Sequence, residues 1–412
     1  MQFNLKLTEK GAIYVTSQQP VDIHGKPYNR SLLVGVLLIG TFCTILNQTL
    51  LTTALPTLMK EFDISASSVQ WLTTGFLLVN GIMIPISAWL INKFSSKKLY
   101  ITAMSTFLIG TIICFVAQDF GMLLTGRLVQ AAGVGVSMPL LQTIMLSIFP
   151  PEKRGAAMGT TGIVIGLAPA LGPTLSGWII DSYTWRDLFG MVIPIVVLVL
   201  ILASFLMKNV IQLSNPSIDV LSVILSTLGF GSLLYGFSSV GDKGWGSPQV
   251  YGFLIVGAIV LCLFTYRQLH LEQPFLELRV FKSKVFTVAA ILSGVTNMAM
   301  IGAEMVLPLY IQNIRGESAF HSGLMLLPGA LVMGLMMPVT GRIFDKIGAR
   351  RLAITGMFIL TAATLPFAFL TKATPIIYII VLYAIRMFGI SMVMMPVTTS
   401  GMNALPMNLL SH

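Results

Sequence analysis

Twelve runs of apolar residues, each about as long as a bilayer is thick, limit this chain more than any other feature. They lie near 32–54, 70–92, 99–118, 121–146, 156–180, 188–207, 218–239, 249–267, 286–312, 323–342, 351–371 and 375–398. A helix rises 1.5 Å per residue, so about 20 residues cross the hydrocarbon layer of about 30 Å. No water inside that layer takes up backbone N–H and C=O groups. A spanning segment must therefore satisfy them itself, as a helix, or join a closed barrel whose strands need only about 10 residues. The runs are twice that length. The expected fold is an all-α polytopic membrane protein with about 12 transmembrane helices. Charged residues make up only 10% of the chain, against roughly 25% in soluble domains.

The remaining charges orient the helices. With the N-terminus in the cytoplasm, the N-terminal arm and the loops after even-numbered spans hold 18 of the 25 Lys and Arg. The opposite loops hold five: Lys60, Arg186, Lys243, Arg315 and Lys372. Such a bias marks the cytoplasmic side. It also accounts for the net charge of +10 without a nucleic-acid partner. Cys43, Cys114 and Cys262 fall inside apolar runs and all four histidines outside them. Neither a disulfide framework nor a metal site is expected. The chain has no phosphate-binding G-x-x-x-x-G-K-S/T, no H-E-x-x-H and no nucleophile elbow, so no enzymatic activity and no cofactor is expected.

Within the fifth run, Gly155, Gly159, Gly162 and Gly166 recur at helical steps, continued by Ala170, Pro173 and Gly177. That spacing puts the small residues on one face, where another helix can come backbone-close. Gly172-Pro173 sits in the same apolar run and is expected to bend the helix rather than end it. There is also an internal repeat. Ala88 to Lys98, with Asn92 and Lys93, parallels Gly341 to Arg351, with Asp345, Lys346, Gly348, Arg350 and Arg351, 253 residues later. Gly126-Arg127 parallels Arg386 with an offset of 259 residues. Two near-equal offsets suggest two related halves, a common build of secondary transporters. Asp345 with its basic neighbours suits a cytoplasmic latch between helices.

Few polar groups lie at membrane depth. Of 15 acids only Glu304 is well inside a span. An ionisable group there costs roughly 2.5–3.5 kcal/mol on insertion scales, so it faces a cavity or a partner. Glu304 is the candidate to carry a proton and to meet a cationic substrate; the alternative is a structural glutamate bonded to its neighbours. Arg127 is the second embedded charge, costly at that depth unless it snorkels to the outer interface. Asn47, Gln48, Thr49, Asn80 and Asn297 can line a substrate cavity or bond helices together. Arg386, the repeat mate of Arg127, reads as structural.

Several of these stretches resemble the major facilitator superfamily, and within it the 14-helix drug:proton antiporters of the EmrB/QacA and lincomycin-resistance type. They are Leu46-Asn47-Gln48-Thr49 to Pro56, Gly126-Arg127 to Gln130, Gly166 to Gly177, Trp185-Arg186-x-x-Phe189, Pro274 to Phe281 and Gly341 to Arg351. The resemblance implies two pseudo-symmetric halves around a cavity, with Arg127 tied to proton exchange. Gly162, Gly166, Gly172, Pro173 and Gly177 would form the antiporter-type helix motif. It divides the chain into an arm (1–30), a six-helix half (31–210), a two-helix insert with linker (211–285) and a C-terminal half (286–412). Three departures stand out. Asn47 replaces an acid common in the family, Asn92 and Ser95 replace Asp and Gly, and a 14-helix member has two spans more, so the four-helix C-terminal half is expected to be incomplete. The implied function is proton-coupled export of amphipathic drugs across a bacterial plasma membrane. The alternatives are export of an endogenous metabolite or signalling nucleotide, and a non-transporting remnant. Lipid, small amphipathic substrates and protons are the expected partners; the sequence says nothing of oligomeric state.

Overall fold

The computed structural model describes residues 6–7, 13–14, 20–23, 25–149, 151–213, 219–271, 274 and 276–405. Among them are twelve long helices. They are α1 (Arg30–Leu50), α2 (Ala66–Lys93), α3 (Ser96–Phe115), α4 (Phe120–Ile148), α5 (Pro151–Ser182) and α6 (Val192–Leu206). Then follow α7 (Val220–Lys243), α8 (Pro248–His270), α9 (Lys284–Leu309), α10 (Ala319–Ile347), α11 (Ala349–Thr364) and α12 (Ile376–Asn403). Each corresponds to one apolar run. Eleven stretches among the described residues are long and apolar enough to cross a membrane, and α5 is the remaining long helix. A two-stranded ribbon, Lys6–Leu7 with Ile13–Tyr14, precedes them.

Helix ends follow local chemistry. Asn29, Ser65, Asp119 and Ser318 each accept a backbone N–H at the start of a helix, the usual way to satisfy its orphan donors. Pro56 starts a separate short helix, Leu55–Glu61, so α1 stops four residues before the end of its apolar run. Pro308 lies inside α9, and a π-helical turn, Tyr310–Ile314, follows it. Pro366 likewise turns the end of α11 into a 3-10 segment, Leu365–Phe369.

Three buried apolar clusters organise the bundle. One draws on residues from Leu33 to Ile211, that is, on α1 to α6. A second runs from Leu307 to Ile390, and a third joins Ala289, Ala353, Val393 and Val397. α7 and α8 supply nothing to any of them. They pair with each other where Gly229 and Gly236 meet Leu261 and Leu254. Their hairpin leans on α2 through Trp71 against Tyr235 and through Ser67, which donates to Asp242 at 2.5 Å. Their outer faces carry exposed Leu, Ile, Val and Phe, the surface lipid would cover.

α5 and α10 cross closely between the clusters. A Cβ on Gly177 would stand 2.3 Å from the Ala319 carbonyl oxygen, and one on Gly323 2.2 Å from that of Pro173. One on Gly172 would meet Thr49 of α1 at 2.1 Å. α5 runs unbroken through Pro169 and Pro173. Gly162 and Gly166 are helical, but their surroundings lie outside the described residues.

Candidate functional site

Arg127, on α4 seven residues from the Phe120 end, is 1% exposed. It does not snorkel. Its Nη1 donates to Asn47 Oδ1 and to Gln130 Oε1, both at 2.8 Å. Its Nε donates to the Leu72 carbonyl at 3.4 Å, and its guanidinium lies 4.3 Å from the centre of the Phe76 ring. Gln130 in turn donates to Thr111 Oγ1 at 2.8 Å. Asn47, Gln130 and Thr111 are buried as well. The cation is thus held by α1, α2 and α4, with α3 behind Gln130. Every side-chain partner in these bonds is neutral.

A second cluster lies in the other half. Arg386 of α12 is also 1% exposed. Its Nε donates to Thr364 Oγ1 at 3.1 Å, its Nη2 donates to the Ala299 carbonyl of α9, and its Nη1 is buried without a hydrogen-bond partner. Glu304, a turn and a half beyond Ala299, interacts electrostatically with Arg386 and Tyr383. Glu304 and Arg386 nevertheless form no ion pair within 4 Å among the described residues. Glu304 is half-buried. Its neighbour Met305 packs against the core of α1 to α6, whereas Ala299, Met300 and Ala303 pack against that of the last helices. The stretch of α9 around Glu304 therefore runs along the seam between the two cores, while the electrostatic partners of its carboxyl, Arg386 and Tyr383, belong to the second half.

The two clusters share a repeat, in a different register from the one that pairs the two arginines. Thr111 and Thr364 stand at the spacing of the two loop motifs. Each donates to the carbonyl one turn back, Phe107 and Leu360, at 2.7 and 2.6 Å. A Cβ on Gly133 would meet Ala103 O and Phe107 N; one on Gly389 would meet Gly356 O and Leu360 N. These matching crossings pair Gly133 of α4 with Gly389 of α12. Arg386 then falls opposite Gln130, and both donate to the matching threonine. The arginines are similar in burial without being equivalent.

The other expected cavity residues scatter. Thr49 is buried at the Gly172 crossing and donates back to Leu46 O at 3.0 Å. Gln48 is half-buried. Asn80 lies where α2 meets Gly135 of α4. Asn297 donates to Ser293 O within its own helix at 2.9 Å. At the helix junctions Asn92 donates to Ala88 O at 3.0 Å, and the Lys93 ammonium lies 4.7 Å from the centre of the Trp89 ring. A side chain at Gly341 would meet open space, and Arg350 and Arg351 lie exposed at the start of α11. Gly348 has φ 78°, a conformation that favours glycine, while Ser95 makes the repeat-related turn at φ −62°. The side chains of Asp345 and Lys346 lie outside the described residues.

Sequence reading passed over Phe76, Thr111, Thr364 and Tyr383, and took Arg386 as structural. The spacing of the two threonines, the same as that of the loop motifs, was the available signal. It went unread because threonine at depth usually bonds its own helix, as both of these do.

Comparison with known proteins places these clusters in context. The family model of the Major Facilitator Superfamily matches residues 37–412. The MFS-type transporter YcnB of Bacillus subtilis is 56% identical over 95% of this chain and 83% of its own length. The lincomycin resistance protein LmrB of Listeria monocytogenes is 44% identical over 91% of this chain and 79% of its own. A solved POT family transporter in complex with a thioalcohol-conjugated peptide shares the fold. Its TM-score is 0.68 at 16% identity, covering 95% of this chain and 88% of that one.

Proposed function

The chain belongs to the Major Facilitator Superfamily, and on that premise we propose that it exports amphipathic compounds in exchange for protons by alternating access. The observation that carries this reading is Glu304. It is a half-buried carboxyl at membrane depth, on the stretch of α9 that runs along the seam between the cores and within electrostatic range of a buried arginine. A proton carrier needs such a place, open to one side and then the other as the halves rock. In this reading residues 31–210 and 286–412 are the moving halves, and 211–285 is a lateral insert with its linker. The N-terminus lies in the cytoplasm of a bacterial cell, and α5 with α10 closes the outer side. The relative named for lincomycin resistance supports the substrate class, and the positive-inside charge bias supports the orientation.

The test is a proteoliposome with an imposed pH gradient, in which proton flux is recorded as lipophilic drugs are added. Drug-triggered flux is expected, and Glu304→Gln at equal protein density abolishes it. Unchanged flux in Glu304→Gln would remove Glu304 from the mechanism.

A further inference from the structure

A cavity of about 910 Å³ opens at the end of α1 that carries the N-terminal arm. Its upper level is polar, with Arg30 and Ser31 from the first turn of α1. Its lower level is apolar, with Val34, Gly35 and Leu38 on one face of the same helix. Phe149, just beyond α4, adds a ring. The arm forms a further wall and is fixed at two points. Tyr28 N–H donates to the Pro20 carbonyl at 2.9 Å, and Ile23 N–H donates to the Asn209 carbonyl beyond α6 at 3.0 Å. A Cβ on Gly35 would meet nothing within 4 Å, so the room continues along the helix. From Arg30 to Leu38 the wall descends about 12 Å along the helix axis. Leu32 and Ile39, on the adjoining face, are exposed, so the cavity borders a surface that α1 turns out of the bundle.

Arg30 is the single charged residue in this lining among the described residues. It forms no ion pair within 4 Å among them. Its guanidinium carbon lies 5.1 Å from the centre of the Phe149 ring, and its Nε is buried without a hydrogen-bond partner among the described residues. A ring face attracts a cation only weakly, and a negative group in the cavity would complete the balance. We propose that the cavity holds an acidic phospholipid of the cytoplasmic leaflet, with its phosphate at Arg30 and an acyl chain along Val34, Gly35 and Leu38. Depth favours a lipid over a soluble anion. The apolar run of α1 begins near residue 32, so Arg30 lies at the level of the headgroups and the apolar wall at that of the chains. A lipid already carries both parts at those depths, whereas a free phosphate would leave the wall uncovered. The surplus of Lys and Arg on this side also draws anionic lipid to it. The proposal takes from the proposed function only the orientation of the N-terminus.

The purified full chain in detergent micelles is given equal amounts of phosphatidylglycerol and phosphatidylcholine with the same acyl chains. Lipid that stays bound is counted by native mass spectrometry. The wild-type protein is expected to keep phosphatidylglycerol over phosphatidylcholine by about fivefold or more, the weight of one basic residue near an anionic surface. Arg30→Gln should bring the ratio to about one. Gly35→Leu, which puts a branched chain into the open space with Arg30 intact, should lower the retention of phosphatidylglycerol. Arg351→Gln, at an exposed arginine on the same side, should leave the ratio as in the wild type. Equal retention of the two lipids by the wild type would overturn the proposal. So would an unchanged ratio in Arg30→Gln, unchanged retention in Gly35→Leu, or an equal fall in Arg351→Gln. Displacement of phosphatidylglycerol by glycerol 3-phosphate would overturn it too, since the site would then be one for a free phosphate. Retention is read without a gradient or a drug, so failure of drug-triggered proton flux would count against the proposed function alone.

Discussion

An arginine fully enclosed by neutral partners exists only if its hydrogen bonds are nearly complete, since an unpaired charge at depth is among the costliest groups a fold can hold. Arg127 meets that condition through Asn47, Gln130, the Leu72 carbonyl and the Phe76 ring. Asn47→Leu keeps a similar volume and removes one bond to a charged donor, a loss of about 2 kcal/mol. A clear fall in the unfolding temperature in detergent is expected, while Gln48→Leu, one position along on a half-buried face, should leave it nearly unchanged. Equal temperatures for the two variants would mean that the bond contributes nothing. The residue types at this site were readable from the sequence because polar groups are scarce in the apolar runs. Their grouping was not. Asn47 and Arg127 are far apart in the chain, and only the packing of α1 on α4 brings them together. The same gap explains why Asn80 and Asn297, chosen by the same rule, turned out to lie at a helix crossing and in a bond within one helix.

Helices showed in the sequence as runs, but their ends and neighbours depended on single residues. Pro308 and Pro366 left the runs apolar while changing the helix type, which a count of apolar residues does not register. Glycine spacing marked α5 as a close-packing helix and gave no hint that α10 would be its partner. Gly177→Ala tests that contact. Its new methyl would stand 2.3 Å from a backbone oxygen, so α10 must move away, at a typical cost of about 1–3 kcal/mol. Loss of transport with reduced thermal stability is expected. Gly35→Ala, where a Cβ meets nothing within 4 Å, should behave as wild type. The α7–α8 hairpin makes a different prediction, through pH. Arg267 donates to both oxygens of Asp219, at 2.9 and 3.0 Å, and holds its carboxyl below the usual carboxylate range. A lowered folded-state value means stability that is present above the unfolded value of about 3.9 and lost as pH falls through the folded one. Asp219→Asn should therefore unfold earlier than wild type at pH 7, and the difference should shrink as pH falls below about 4 and vanish once it is below the folded-state value. A difference that persists there would assign the effect to packing.

At the scale of the whole molecule, three hydrogen bonds between the halves fall on one side. Gln312 of the π-helical turn donates to the Thr53 carbonyl at 3.0 Å, Thr174 donates to the Gly323 carbonyl at 3.1 Å, and the Phe320 N–H donates to Asp181 at 2.9 Å. All three lie opposite the end of α1 that carries the N-terminus. A repeat and a charge bias were enough to expect two halves; which side they close on depends on contacts between residues distant in the chain, beyond the reach of any local pattern. If transport is rocking of one half on the other, these contacts must open in every cycle. Joining them should stop the cycle without touching Glu304 or either arginine. A protein with Asp181→Cys and Phe320→Cys, cross-linked by a short bismaleimide whose linker carries a cleavable disulfide, should lose drug-triggered proton flux in proteoliposomes. Reduction should restore the flux, and each single variant treated alike should keep it. The cross-linked protein should still bind a substrate added from the N-terminal side, because the closed contacts lie on the other face. Full flux in the locked state would show that these contacts never separate, and the movement would then have to lie within one half rather than between the two.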